Sequence, residues 1–153
     1  MGVKFEDRYD SLIIFWANRY GRDPKQVKRQ IRVESGFDSM AVSPEGAQGL
    51  MQFMVDTWND QTSPGASPFN PEANIMVGCK YMRWLEESLG SLRLALAAYN
   101  WGIGHVRTVR EQISGPGQED KILEHAPVET RTYVIKCMEY KSEVLYVRET
   151  FGA

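Results

Sequence analysis

The sequence predicts a single all-α domain. Apolar residues recur at helical spacing through most of the chain, and no stretch alternates convincingly as a β-strand would. Prolines and glycines separate the helical stretches. At about 12 residues per helix, the chain would hold roughly seven or eight helices. Its 153 residues suffice for one core, and we expect no domain boundary within residues 1–153.

Two helices are expected in the first quarter of the chain. The first covers residues 7–20, whose apolar side chains form one stripe, and Gly21 ends it. Asp23-Pro24 supplies an N-cap and a proline at the first helical position, which predict where the second helix begins. This helix ends at Glu34, because Gly36 is the glycine expected just past a helix C-terminus.

The middle of the chain is predicted to contain two helices separated by loops. Residues 38–46 are rich in turn-forming side chains, and residues 47–60 are expected to be helical. Three prolines mark residues 61–71 as a surface loop. Residues 72–89 form the next predicted helix, which Gly90 ends.

Shorter helices follow. Ser91 is expected to cap an apolar helix at residues 92–99, and a further helical stretch runs to Ile113. Residues 114–117, Ser-Gly-Pro-Gly, are a second break. Pro127 begins the last predicted helix. The apolar stripe of that helix is Tyr133, Cys137, Tyr140 and Val144.

Composition argues against several classes of function. The chain has a formal net charge of −2 and a pI near 5.7, so no nucleic acid partner is expected. No apolar run is long enough to span a bilayer, so no membrane insertion is expected. Cys79 and Cys137 are expected to be buried thiols. Two cysteines and two histidines far apart offer no metal-ligand spacing, so no cofactor is expected.

Glu34 occupies an unusual position for a charged residue. Val27, Ile31 and Glu34 lie at helical spacing, which places this carboxylate on the apolar face, in the last turn. The helix dipole and burial both disfavour negative charge there, so we predict a raised pKa. A group that keeps its proton near neutral pH suits general acid catalysis. Periodicity alone leaves open a carboxylate that points to water or pairs with Arg29 or Arg32.

Two polar clusters accompany apolar helices. Gln52 lies beside the stripe of its predicted helix, near the uncovered backbone of Gly49. Tyr99-Asn100 closes the apolar helix and is followed by two nearby glycines. Amides, hydroxyls, bare backbone and aromatic faces are what a saccharide site offers. Local pattern also permits Tyr99 as a core aromatic residue and Asn100 as a helix C-cap.

A second carboxylate in an apolar setting is missing from the sequence pattern. Asp38 falls in the loop after Glu34, Asp56 lies on the polar side of its predicted helix, and Asp60 follows one turn later. Glycosidases commonly use a carboxylate pair, with substrate-assisted enzymes as the exception. One candidate acid therefore favours a mechanism in which the substrate supplies the second group.

Five stretches resemble the motifs of a known enzyme family. They are ESGF at residues 34–37, AVSPEGAQGLMQ at 41–52, NPEANI at 70–75, ALAAYN at 95–100 and PVETRTYV at 127–134. In this order they are similar to the lytic transglycosylases of the soluble (SLT, family 1) type, which have a goose-type lysozyme-like fold. The resemblance covers about residues 24–141.

The resemblance implies cleavage of the β-1,4 bond between N-acetylmuramic acid and N-acetylglucosamine in peptidoglycan, without water as the nucleophile. Glu34 would protonate the leaving oxygen, and the substrate's N-acetyl group would stabilise the cationic centre. Glu34, now a carboxylate, would then take the proton of the C6 hydroxyl as a 1,6-anhydro ring closes. The single acid found in the sequence agrees with this scheme.

The same match implies roles for further residues. Ser35 would orient Glu34. Tyr99 would hydrogen-bond near the N-acetyl group or Glu34, with Asn100 fixing the local geometry. Tyr133 would close the cleft from the last helix. The other positions implied to line the sugar subsites are Gly49, Gln52 and Met54. Trp101 departs from the family's usual alanine, and both sugar stacking and a packing role are open for it.

Two other functions remain open from the sequence. A lysozyme-type muramidase would use the same glutamate but admit water, and a non-catalytic glycan-binding module would serve a larger assembly. Glu34, Gln52 and Tyr99 together favour the enzyme. Acidic residues precede the first apolar run, where a signal peptide would be basic. We therefore expect action in the periplasm or cell wall as a bacteriophage virion component beside other wall-penetrating components, as a holin-released endolysin, or as a domain of a larger exported protein.

Overall fold

The computed structural model describes residues 4–139, and these residues are almost entirely helices and turns. Within this range a short 3-10 turn, Phe5–Asp7, precedes eight α-helices. The helices are α1 (Asp10–Arg19), α2 (Pro24–Ser35), α3 (Val55–Gln61), α4 (Pro71–Leu89), α5 (Leu92–Trp101), α6 (Ile103–Gln112), α7 (Gln118–His125) and α8 (Val128–Met138). The predicted all-α class is confirmed.

The described residues form two compact units, residues 4–81 and 82–139. Helices α1, α2 and α3 lie in the first unit, α5 to α8 lie in the second, and α4 contributes to both. That residues 1–153 make one domain stays a prediction.

The predicted signals at both ends of α2 are confirmed. The Asp23 carboxylate accepts a hydrogen bond from the backbone N–H of Lys25 at 3.0 Å, and Pro24 occupies the first helical position. At the other end Gly36 adopts the left-handed conformation, with φ 60°, and its N–H donates to the Arg32 carbonyl. The helix therefore stops at Ser35, one residue beyond the predicted end at Glu34.

The predicted helix at residues 47–60 is largely wrong. Only Val55–Gln61 is helical, and the residues before it form a tight turn in which the backbones of Gln48 and Phe53 exchange hydrogen bonds of 2.9 and 3.0 Å. Gly49 and Gln52 have φ values of 81° and 55°, which no right-handed helix accommodates. Of the apolar residues that suggested a helix, Leu50 is buried on this turn, Met54 is exposed just before α3, and Trp58 is buried within α3.

A buried ionic cluster joins α2 to the start of α1. The Lys28 ammonium lies 2.6 Å from Asp7 Oδ1 and 3.0 Å from Asp10 Oδ1. All three side chains are at most 6% exposed. Because an uncompensated charge is costly at this depth, the cluster holds the two helices in one register.

Helix α5 is the centre of the second unit. Its residues Leu94 to Ala98 are all buried, and it packs against α6, α7 and α8. The Ser91 hydroxyl accepts from the Leu94 N–H at 3.2 Å, which confirms the predicted cap. The helix runs two residues beyond the predicted end, to Trp101. Gly102, with φ 101°, separates it from α6.

Helix α7 was not predicted from the sequence. Two acidic residues, Glu119 and Asp120, occupy the first turn of α7, where the helix dipole favours negative charge. Both carboxylates also form ion pairs with Arg93 of α5. Acidic residues in the first turn are a recognised signal for the start of a helix. Here the signal is hard to recognise in the sequence, because the helix is short and directly follows the Ser-Gly-Pro-Gly break.

The last helix begins after Pro127, as predicted. Tyr133 and Cys137 are buried in it, whereas Tyr140 and Val144 lie outside the described residues. Cys79 and Cys137 are buried thiols rather than halves of a disulfide, as expected. Burial raises the pKa of the Cys79 thiol to about 12, and the nearby Arg22 lowers it by a smaller amount.

No helix between residues 4 and 139 is long and apolar enough to cross a bilayer. In the same range no three histidine, cysteine or acidic side chains are grouped so that they could hold a metal ion.

Lys28→Met is expected to lower the free energy of unfolding by about 3–5 kcal/mol, since it leaves Asp7 and Asp10 buried without their cation. Urea unfolding measures the change. Lys25→Met, in the first turn of the same helix, is the matched control and should cost less than about 0.5 kcal/mol. Equal unfolding midpoints for the two variants would contradict a stabilising role for the cluster.

Candidate active site

Glu34 is the second-last residue of α2 and is partly buried. Val27 and Ile31, which precede it on the same face, are 1% and 0% exposed, so the predicted apolar setting on this side of the helix is present. Directly after the helix, Gly36 and Phe37 both have positive φ values, of 60° and 67°. The chain therefore turns sharply away, and Glu34 is left at the end of the helix.

Ser35 follows Glu34 and ends the helix. Its hydroxyl donates to the Ile31 carbonyl one turn earlier, at 3.2 Å. This bond is the common local contact of a serine inside a helix. The role implied for Ser35 in orienting Glu34 stays a prediction.

The turn at residues 48–53 carries two of the predicted sugar-binding residues. Gln52 is partly exposed and has a left-handed backbone, with φ 55°. Its side-chain Nε2 donates to the carbonyls of Gly49, at 2.9 Å, and Ala41, at 3.2 Å. The structure thus brings Gln52 and Gly49 together. The side-chain nitrogen of Gln52 forms hydrogen bonds that stabilise the turn.

Gly49 is buried, and its surroundings explain why it is a glycine. A Cβ atom here would lie 2.1 Å from the Pro68 carbonyl oxygen and 2.4 Å from Asn74 Nδ2. An uncovered backbone was expected at this residue. That expectation is wrong where the Cα atom faces Pro68 and Asn74, because these residues pack closely against it. Its implied role at a sugar subsite stays a prediction.

Met54 is 46% exposed and occupies the position just before α3. The sequence placed it inside a helix, on the apolar stripe. Instead its extended backbone links the turn to α3, and its side chain remains available for contact with a ligand.

Asn74 belongs to the motif at residues 70–75, and no role was predicted for it from the sequence. It is fully buried in α4, and its amide bonds to three backbone groups of the neighbouring loops. The available signal was a polar side chain among apolar neighbours, since a buried amide requires partners.

In the second unit, Tyr99 and Asn100 are partly exposed near the end of α5, and Tyr133 of α8 is 5% exposed. Asn100 Oδ1 accepts a hydrogen bond from the Thr130 hydroxyl at 2.9 Å, which joins α5 to α8. Asn100 is therefore not the C-cap that local pattern allowed, because Gly102 holds that position.

Trp101 is held by a local contact. Its ring stacks on His105 with a centroid distance of 5.0 Å and an interplanar angle of 8°. The His105 Nδ1 also lies 2.7 Å from the Trp101 carbonyl oxygen. One ring face of Trp101 is thus covered, which favours the packing role over sugar stacking.

The acidic residues near Glu34 in sequence do not lie in apolar settings. Asp38, Asp56 and Asp60 are all exposed, as their sequence pattern indicated, and Asp38 Oδ1 accepts from the Met40 N–H. Asp7 and Asp10 are buried but are compensated by Lys28. Glu34 stays the acid that the sequence predicts for the first unit.

Gly49→Ala should destabilise the protein because it combines a strained φ with a backbone clash. Gly46→Ala is the matched control: Gly46 has φ 94°, but nothing lies within 4 Å of its Cβ position. We expect about 1–2 kcal/mol for Gly46→Ala from the backbone alone. Gly49→Ala should cost about 2 kcal/mol more. Denaturant unfolding compares the two, and equal losses would mean that the turn moves away from Pro68 without cost.

Comparison with known proteins agrees with the resemblance seen in the sequence. The family profile described as the transglycosylase SLT domain matches residues 11–122. The soluble lytic murein transglycosylase of Salmonella typhimurium is 35% identical over 132 residues, which cover 79% of this chain and 20% of that protein. The chain thus spans about a fifth of the length of this curated relative.

Two solved structures are similar in fold. One is an inactive glutamate-to-glutamine mutant of the lytic transglycosylase Slt from Pseudomonas aeruginosa, with a TM-score of 0.76, 28% identity, and coverage of 87% of this chain and 23% of that one. The other is the 70-kDa soluble lytic transglycosylase in complex with bulgecin A, with a TM-score of 0.75, 28% identity, and coverage of 97% and 25%. From the family match, which spans most of the chain, we conclude that this protein belongs to the transglycosylase SLT domain family, with its lysozyme-like helical fold.

Proposed function

We propose that this chain is a peptidoglycan lytic transglycosylase, a lyase that cleaves the β-1,4 bond between N-acetylmuramic acid and N-acetylglucosamine. The muramic acid product would carry a 1,6-anhydro ring. The observation that carries the proposal is Glu34 in its setting: a partly buried acid at the end of α2, within the segment that matches the SLT family. A glutamate-to-glutamine change accompanies inactivity in the similar Pseudomonas aeruginosa protein, which supports a glutamate as the essential group.

Glu34 would act twice in this mechanism. As a protonated acid it donates its proton to the glycosidic oxygen while the bond to the muramic acid C1 breaks. The acetamido oxygen of the same sugar stabilises the positive charge at C1. Glu34, now a carboxylate, accepts the proton of the C6 hydroxyl as O6 bonds to C1, so the enzyme returns to its starting state.

Glu34 lies in the last turn of α2, beside the buried side chains of Val27 and Ile31. The proposed mechanism requires its side chain to hold a proton when substrate arrives and to accept a proton after the glycosidic bond breaks.

The remaining proposed site residues would bind the glycan strand. In the first unit these are Ser35, Gly49, Gln52 and Met54. In the second unit they are Tyr99, Asn100 and Tyr133. Gln52 keeps its carbonyl oxygen for a sugar hydroxyl or N-acetyl N–H, since its nitrogen bonds to the turn. The Asn100–Thr130 bond would hold Tyr99 in a fixed orientation on α5.

Peptidoglycan glycan strands are the proposed partner, with the periplasm or cell wall as the site of action. Because the chain spans only a fifth of its curated relative, these properties are proposed for this domain. The role as a bacteriophage virion component or endolysin stays a prediction from the sequence alone.

Product analysis is the experiment that tests the proposal. Purified sacculi are incubated with the protein, and the soluble muropeptides are identified by mass spectrometry. Products lighter by one water than reducing-end muropeptides would carry the anhydro ring and support the lyase. Reducing-end products would identify a lysozyme-type muramidase instead. Binding to sacculi without any product would identify a non-catalytic glycan-binding module.

Glu34→Gln should abolish product release while preserving the fold, because the amide cannot donate and then accept the catalytic proton. Activity is expected to fall to about 1% or less, given the 10²–10⁴-fold contribution typical of general acid–base catalysis. Glu45→Gln, an exposed change in the following loop, is the control and should leave the rate unchanged. Substantial activity in Glu34→Gln would assign the acid to another residue.

Tyr99→Phe should slow turnover about tenfold without lowering the melting temperature, because the ring remains and one hydrogen-bonding hydroxyl is lost. Initial rates on sacculi and a thermal unfolding curve measure the two effects. Tyr20→Phe, at the residue that follows α1, controls for the loss of a hydroxyl elsewhere. A large fall in melting temperature with a normal rate per folded molecule would return Tyr99 to a purely structural role.

A further inference from the structure

The buried Asn74 side chain uses both ends of its amide. Its Oδ1 accepts a hydrogen bond from the Met51 N–H at 2.7 Å. Its Nδ2 donates to the Pro68 carbonyl at 2.8 Å and to the Gln48 carbonyl at 3.4 Å. The orientation of the amide follows from these partners, since an N–H must face an oxygen and a carbonyl must face a nitrogen. Asn74 therefore connects α4, the proline-rich loop and the turn at residues 48–53.

Packing fixes the same turn from another side. Met51 is fully buried, and its thioether lies against Gly78, one turn further along α4. A Cβ atom at Gly78 would approach Met51 Sδ to 2.0 Å. The backbone N–H of Met51 is thus held by Asn74 while its side chain fills the space beside Gly78.

The turn needs this support because it is strained. Gln52, directly after Met51, holds a left-handed backbone that costs a non-glycine residue about 1 kcal/mol or more. Such a conformation persists only when its surroundings determine it. Because α4 fixes the Met51 peptide, the backbone at Gln52 and Met54 is also restrained. Their side chains would therefore keep the positions in which they would contact a sugar.

We propose that Asn74 is a positioning residue of the transglycosylase reaction: its amide fixes the turn at residues 48–53 so that Gln52 and Met54 present one surface to the glycan strand. The inference rests on the proposed function. Asn74 does not touch the reacting atoms and acts through the turn. Aspartate cannot replace it fully, because a carboxylate lacks the N–H groups that bond to Pro68 and Gln48.

The test measures order in the turn and kinetics separately. Amide exchange by NMR reports on the Met51 N–H, and mass spectrometry of anhydro products from soluble, uncross-linked glycan strands gives KM and kcat. For Asn74→Ala we expect Met51 exchange at least about tenfold faster. We also expect KM to rise about tenfold while kcat changes less than about threefold, because Glu34 lies outside the turn.

Two further variants separate positioning from general stability. Asn74→Asp keeps an acceptor for Met51 and should give exchange and KM values between those of wild type and Asn74→Ala. Gly78→Ala pushes Met51 from the opposite side and should raise KM as well, which provides a second measurement if Asn74→Ala does not fold. Asn70→Ala is the matched control, because the exposed Asn70 side chain accepts only from the Ala73 N–H at the start of the same helix. It should leave KM and Met51 exchange unchanged.

Specific outcomes would overturn the inference. Wild-type KM and Met51 exchange in folded Asn74→Ala would remove the role of Asn74 while leaving the proposed function intact. An equal rise in KM for Asn70→Ala would show that any weakening of α4 suffices. Absence of anhydro products from the wild-type protein would instead overturn the proposed function itself, with Met51 exchange still reporting whether Asn74 anchors the turn.

Discussion

The end of α2 is the constraint on which the candidate chemistry depends. Glu34 is useful only if the helix stops just after it, and two successive left-handed residues, Gly36 and Phe37, make that stop. The glycine adopts this conformation readily, whereas in Phe37 it is strained and the residue is buried, with 3% of its surface exposed. The cluster around Lys28 anchors the same helix to α1 and to the turn before it. Helix position and helix end together determine where the carboxyl group lies.

The features that could be predicted from the sequence are those that depend on residues close to one another along the chain. The ends of α2 follow from Asp23, Pro24 and Gly36, and the start of α5 follows from Ser91, because each side chain or backbone acts on its own helix. The all-α class followed from the same periodicity. For the site, the apolar setting around Glu34 was predictable because Val27 and Ile31 are its neighbours one and two turns away on a regular helix.

Features decided by distant contacts were not predictable in the same way. Leu50, Met54 and Trp58 are spaced like one stripe of a helix, yet Met54 is 46% exposed and, of the three, Trp58 alone lies in α3. The turn that stands in place of the first part of this helix is held by Asn74, which lies 23 positions beyond Met51 and accepts a hydrogen bond from its N–H. Helix α7 was missed for a related reason, since its first-turn acids gain their partner, Arg93, from another helix. Tertiary partners override local propensity in both places.

The motifs of the family therefore serve two physical purposes in this chain. Glu34 and Gln52 bring groups that can act on or bind a sugar. Gly49 and Asn74 belong to equally recognisable motifs, yet their contacts are with the protein: Gly49 leaves room for the Pro68 carbonyl, and Asn74 bonds to that same carbonyl. A glycine in this turn is easily interpreted as bare backbone for a ligand, but its missing side chain also leaves room for a second loop. Recognising a motif thus identifies the family, but only the contacts separate the residues that meet the substrate from those that hold them in place.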